Sequence, residues 1–221
     1  MIDIQYVYKL ILVLLYAAFA TWAVMPYAIR KMQKYKYVVP DMHKVKKPKI
    51  PVLGGIAIFV GVVTSLALSQ LILPIEITGK LFIFYFIVMV YAIFGLADDI
   101  FHFKRRYDKI IALLVLSLPI ASLISVTVLN LKLFSLDLGK FYPLLFAPFY
   151  IMVVANLINI HAGFNGLGPG TTWIIFIAAT LKSYLLYGFD NVFYAMPILG
   201  ALSLFMIYNW YPAKIFDGNV G

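Results

Sequence analysis

Six stretches of this chain carry no Asp, Glu, Lys or Arg over lengths that a soluble fold does not need: residues 10–29, 50–75, 81–97, 110–131, 141–181 and 191–213. A helix rises ~1.5 Å per residue and the hydrocarbon layer of a bilayer is ~30 Å thick, so ~20 apolar residues make one crossing. Run 141–181 is long enough for two crossings, and its middle, Asn156 to Gly170, reads NLINIHAGFNGLGPG. That polar, glycine-rich break marks a turn. The expected fold is therefore an all-α polytopic membrane helix bundle with about seven transmembrane helices.

Composition closes the other classes. The chain is 64% hydrophobic and 12% charged, which excludes a single water-soluble globule, and its 18 Phe, 16 Tyr and 3 Trp exclude disorder. It has no cysteine, which removes disulfides, thiolate nucleophiles and Cys-ligated metals. The net charge of +9 is read as membrane orientation, with the lipid bilayer and no nucleic acid as the expected partner. If the crossings alternate, segments 30–49, 98–109 and 210–221 hold 13 basic residues, whereas the opposite connections hold only Lys80, Lys132 and Lys140. The expected topology is a multi-pass cell-membrane protein with its N-terminus outside and its basic connections in the cytoplasm. The first run is followed by Arg30 and Lys31, the reverse of a cleaved leader, so it reads as a retained span.

Four polar groupings fall on that same side. Asp98 and Asp99 close the third run in GLADDIFHFKRRYDKI. Adjacent carboxylates at a membrane edge call for a shared cation or a proton, unless they only solvate the loop. Oxygen ligands without cysteine favour Mg²⁺, with Mn²⁺ as the alternative. Asn156 and Asn159 stand three apart on one helical face, followed by His161, Asn165 and a glycine series; the amides either satisfy each other or face a ligand, and His161 either acts on substrate or fixes the turn. In HKVKKPKIPVLGG the lysines, Lys49 among them, precede Gly54-Gly55, where a helix N-terminus offers unpaired N–H groups to phosphate. Positive-inside charge explains the lysines equally well. Finally, Lys214, Asp217 and Asn219 lie in YPAKIFDGNVG, able to offer a cation, a carboxylate and an amide.

Four segments in this order, KKPKIPVLGG, GLADDIFHFKRRYDKI, NLINIHAGFNGL and YPAKIFDGNVG, resemble the motifs of the polyprenyl-phosphate N-acetylhexosamine-1-phosphate transferases. That family contains the bacterial phospho-N-acetylmuramoyl-pentapeptide transferase and the eukaryotic dolichyl-phosphate GlcNAc-1-phosphate transferase. AGFNGL at 162–167 and DDIFHFKRR resemble the archaeal and eukaryotic branch more than the bacterial one.

The resemblance implies Mg²⁺-dependent transfer of a sugar-1-phosphate, with GlcNAc-1-phosphate the expected one, from a UDP-N-acetylhexosamine to a polyprenyl or dolichyl phosphate, releasing UMP. It implies Asp98 and Asp99 as catalytic residues near metal or lipid phosphate, Asn156, Asn159 and Asn165 on the nucleotide-sugar side and Lys49 toward phosphate; His161 and Lys214 join them as substrate-binding candidates from the reading of their own segments. The family's metal-binding aspartate falls at Asn219, whose amide still offers an oxygen, so the expected metal set is Asp98, Asp99, Asp217 and Asn219, with either Asp217 compensating for the lost charge or the metal relying on Asp99 and substrate phosphates. The family has roughly ten crossings. Residues 1–221 therefore read as a single transmembrane transferase-like domain that is incomplete at its C-terminal end, with a homodimer as one arrangement left open. A transporter, or an inactive structural membrane subunit, is the alternative class, and the transporter would require polar groups near mid-membrane.

Overall fold

The computed structural model describes residues 4–73, 75–103, 106–122, 124–130, 133–189 and 191–221. Lys104, Arg105 and Lys132, and the side chains of Lys80 and Arg106, which entered the charge count, lie outside the described residues. Helix α1 runs Ile4–Lys34, followed by the strands β1 (Val38–Pro40) and β2 (Lys49–Pro51), then α2 (Gly55–Ile72), α3 (Ile75–Phe101) and α4 (Arg106–Ser117). Strands β3 (Val128–Asn130) and β4 (Ser135–Asp137) precede α5 (Ala147–His161), α6 (Leu167–Tyr187) and α7 (Met196–Asn209).

Among the described residues, five helical segments are long and apolar enough to cross a membrane: Ile4–Lys34, Gly55–Ile72, Leu81–Phe101, Tyr142–His161 and Val192–Asn209. The protein is a polytopic helical membrane protein. The other two expected crossings take different forms. The 110–131 run is divided among α4, a 3₁₀ turn at Leu118–Ser122 and the strand β3, because Pro119 stops regular α-helix by removing a donor. Helix α6 has the length, 21 residues, but Thr171, Thr172, Thr180, Lys182 and Ser183 dilute its apolarity below that of the other five. Two short antiparallel hairpins interrupt the all-helical expectation, pairing Val38 with Pro51 and Val128 with Asp137.

Helices α1, α2 and α7 form the packed centre. Leu10, Val13, Ala17, Thr21, Met25 and Ala28 recur every three or four residues and make one buried stripe along α1. In lipid, apolar helices gain little by hiding from water, so close backbone approach does the work. A Cβ at Gly200 would lie 2.1 Å from the carbonyl oxygen of Leu14, and one at Gly61 would lie 2.1 Å from Thr21 Oγ1. The polar groups inside this apolar body are satisfied locally: Thr21 donates to the Ala17 carbonyl at 2.9 Å, Ser65 to Val62 at 2.9 Å and Ser69 to Leu66 at 2.9 Å. None of these three hydroxyls is left to line a pathway.

The chain beyond α7 is held against one end of the bundle. Gly54 N–H donates to the Phe216 carbonyl at 2.8 Å, Gly55 N–H to Asp217 at 2.9 Å, and Phe216 N–H to Pro51 at 2.8 Å. This corrects the expectation that the glycine pair at the start of α2 presents free N–H groups to phosphate, since the chain itself takes both donors. The glycines are required for contact instead. A Cβ at Gly55 would sit 2.2 Å from the Gly221 nitrogen, and one at Gly95 on α3 would sit 2.0 Å from the Asn219 carbonyl oxygen.

Candidate active site

Three separate chain segments meet at this end: the last turn of α3, the last turn of α5 with its following turn, and residues 213–221. Asp98 is buried at 7% exposure and its carboxylate is fully engaged. Oδ2 accepts from Lys109 Nζ at 2.7 Å and from Asn219 Nδ2 at 3.2 Å, while Oδ1 accepts from the Phe103 N–H at 3.1 Å. A buried carboxylate is costly unless its oxygens are hydrogen-bonded in this way. Its neighbour Asp99 accepts the Val220 N–H at 3.2 Å through Oδ2. The αL conformation of Gly218, φ +73°, lets the backbone approach, since a Cβ there would lie 2.7 Å from Asp99 Oδ2.

Asn219 is the connector. Its Oδ1 accepts from Asn159 Nδ2 at 3.0 Å while its own Nδ2 donates to Asp98. The amide can face only this way, because the reverse would set two oxygens against each other at the carboxylate. Asp217, two residues earlier, lies close enough to Asp99 for the two carboxylates to repel. Burial pushes the Asp217 carboxyl up to about 6, the Asp99 charge adds to the rise, and backbone N–H groups of Asp217 and Gly218 oppose it.

The expected site residues therefore separate. Asp98, Asp99, Asp217, Asn219 and Asn159 converge. Asn156 returns its amide to the Met152 carbonyl of its own helix at 2.8 Å and does not pair with Asn159. His161 ends α5 with its side chain exposed. Asn165 lies in the turn 162–166 and donates to Asp41 Oδ2 at 3.4 Å. Lys214 is exposed with its ammonium 5.7 Å from the centre of the Tyr208 ring. Lys49 lies exposed on β2, and no hydrogen bond or ion pair links it to the carboxylates among the described residues.

Three residues were not foreseen. Lys109 pairs with Asp98 from α4, eleven positions on, and only the folding back of α4 brings it there. Asp41, 2% exposed, joins Lys44 at 3.0 Å and accepts the His43 N–H at 3.2 Å; burial raises its carboxyl, but these donors and Asn165 outweigh burial and hold it below the usual carboxylate range. A lone acid inside a lysine-rich loop was the available signal. Asn209, 2% exposed, accepts the Gly166 N–H at 2.8 Å and donates to the Ile215 carbonyl at 2.9 Å, tying the turn after α5 to the segment after α7.

Residues 81–221 match the sequence profile of glycosyl transferase family 4. The chain belongs to that family. Among its curated relatives, a Saccharolobus solfataricus protein provisionally named UDP-N-acetylglucosamine–dolichyl-phosphate N-acetylglucosaminephosphotransferase is 32% identical over 96% of this chain and 66% of its own length. The similarly named protein of Sulfolobus acidocaldarius is 29% identical over 86% of this chain and 60% of its own. The phospho-N-acetylmuramoyl-pentapeptide-transferase of Streptococcus pyogenes serotype M18 is 29% identical over 89% of the chain and 64% of its own. The chain thus spans just under two thirds of the first of these relatives and less of the other two. This family 4 chain carries its converging carboxylates, Asp98, Asp99 and Asp217, within the matched residues.

Proposed function

We propose that this family 4 protein transfers an N-acetylhexosamine-1-phosphate, GlcNAc-1-phosphate in the first instance, from a UDP-sugar to a polyprenyl or dolichyl phosphate and releases UMP. The observation that carries the reading is the meeting of Asp98, Asp99, Asp217, Asn219 and Asn159, from three segments, at one end of an apolar bundle. Substrate phosphates in water and a lipid tail in the bilayer meet only at such an edge. The basic segment 30–49 joins the same end through Asp41 and Asn165, which supports a cytoplasmic site and an external N-terminus.

The donor set suits Mg²⁺, or Mn²⁺: hard carboxylate oxygens, two of them on Asp99 and Asp217 repelling each other without a cation. Asp99 and Asp217 would hold the ion, with substrate phosphates completing the set. Asn219 is reserved for linking Asp98 to Asn159, and Asp98 for holding Lys109 and the loop at Phe103. A bound divalent ion would supply positive charge to phosphoryl oxygens as the bond to the UMP oxygen breaks. The acceptor needs no strong base, because a phosphate monoester with a second pKa of ~6 is mostly dianionic at neutral pH. The carboxylates therefore act by placing charge, and Asn165 and Asn159 by orienting the donor.

The test is radiolabel transfer from UDP-GlcNAc to polyprenyl phosphate in vesicles bearing the full-length protein. The expected result is label in the lipid phase that is lost in Asp99→Asn and in Asp217→Asn. No transfer with any UDP-N-acetylhexosamine, or full transfer by both variants, overturns the reading.

A further inference from the structure

The hairpin formed by β1 and β2 reaches the turn after α5 at two successive residues. The His43 ring stacks on Phe164, centroids 4.3 Å apart and planes 27° from parallel, and Asp41 receives the amide of Asn165. Asp41 is also what shapes the hairpin tip: its N–H donates to the Pro48 carbonyl at 2.9 Å, and its carboxylate holds the His43 N–H and Lys44 Nζ. Lys44 in turn lies 5.3 Å from the centre of the Tyr211 ring, in the segment after α7. One buried carboxylate thus links the first basic loop to two other segments of the site end.

We infer that Asp41 is a positioning residue for the nucleotide-sugar: it locks the 38–51 hairpin onto Phe164 and Asn165 and fixes which way the Asn165 amide faces. With one Asn165 N–H directed to Asp41, its carbonyl oxygen is turned away from the carboxylate, ready to accept from a donor on the ligand. The hairpin then forms a wall beside the turn. Lys46 and Lys47, exposed at its tip, stand where they can meet diphosphate charge. Asp41 touches no reacting atom. The inference rests on the transferase reading for the identity of the ligand, but the lock itself does not.

Two readouts separate these layers in the full-length protein held in lipid nanodiscs. Hydrogen exchange without ligand reports the lock: Asp41→Asn and Asn165→Ala should each raise exchange in both 38–51 and 162–166. The exchanged pair Asp41→Asn with Asn165→Asp, which restores one donor and one carboxylate, should return it toward wild type. Titration with UDP-GlcNAc reports the consequence, a roughly tenfold weaker Kd in each single variant, the effect of one charge-assisted hydrogen bond lost from positioning. In the full-length enzyme the same variants should raise KM by a similar factor while kcat changes by less than about twofold. Exchange rising in the hairpin alone, or no recovery in the exchanged pair, overturns the lock. A tenfold loss of kcat at unchanged KM overturns the positioning role. Full-length wild-type protein that ignores UDP-GlcNAc overturns the functional reading while the exchange data still decide the lock.

Discussion

Replacing Asn219 by aspartate should weaken the protein in the absence of a divalent cation. Asn219 Nδ2 stands 3.2 Å from Asp98 Oδ2, so Asn219→Asp exchanges a donor for a second negative oxygen at that distance. Two unit charges at ~4 Å repel by ~4 kcal/mol at an effective dielectric of 20 and by ~1 kcal/mol in water. Asn219 is exposed and Asp98 buried, which places the pair between these limits, and Lys109 at 2.7 Å offsets part of the repulsion. The net destabilisation is about 2 kcal/mol, against about 1 kcal/mol for Asn219→Ala, which loses the hydrogen bonds without adding charge. Thermal unfolding in detergent, followed by tryptophan fluorescence in EDTA, should rank wild type above Asn219→Ala above Asn219→Asp. Millimolar Mg²⁺ should narrow the gap for the aspartate variant alone. An aspartate variant as stable as wild type in EDTA would refute the placement of Asn219 as a donor to Asp98.

Lys109→Ala leaves the Asp98 charge with backbone and amide donors only; breaking a buried pair costs ~3–5 kcal/mol, and with the Lys109 side chain 32% exposed about 2 kcal/mol is expected, largely recovered in Lys109→Arg by the same unfolding assay. Gly95→Ala drives a methyl toward the Asn219 carbonyl oxygen, 2.0 Å from the added Cβ, and should cost ~1–3 kcal/mol. Gly79→Ala on the same helix meets nothing within 4 Å and should be neutral or slightly stabilising. The Asp41 carboxyl is held below its ordinary range in the folded chain, so its contribution is present above the unfolded carboxylate value and is lost as pH falls through the lower folded value. Unfolding temperatures measured from pH 7 down to pH 3 should therefore converge for wild type and Asp41→Asn at the acid end.

Crossings and motifs were legible because they are local properties. A long charge-free run announces a membrane helix unless a residue such as Pro119 divides it, as in 110–131, and Asn156–Gly170 announces a break because glycine and buried amides are costly in an apolar helix. Pairings were not legible in the same way. Asn156 and Asn159 share a helical face, yet one bonds back to Met152 and the other reaches Asn219, sixty residues away. The glycines at 54 and 55 looked like a phosphate cradle from their own segment, and only the return of residues 215–217 shows that their N–H groups are taken.

The amino-acid sequence by itself determined that this chain lives in a bilayer, where along the chain most of its membrane-length helices lie, and that its acids and amides gather at one edge, because hydropathy and turn chemistry act over a few neighbours. Tertiary structure alone decided the division of labour among those residues: Asp98 bound to Lys109, Asn219 bridging to Asn159, Asp217 brought beside Asp99, and Asp41 closing on Asn165. Those choices depend on distances of about 3 Å between segments far apart in sequence, and a hydrogen bond or a charge pair acts only at that range.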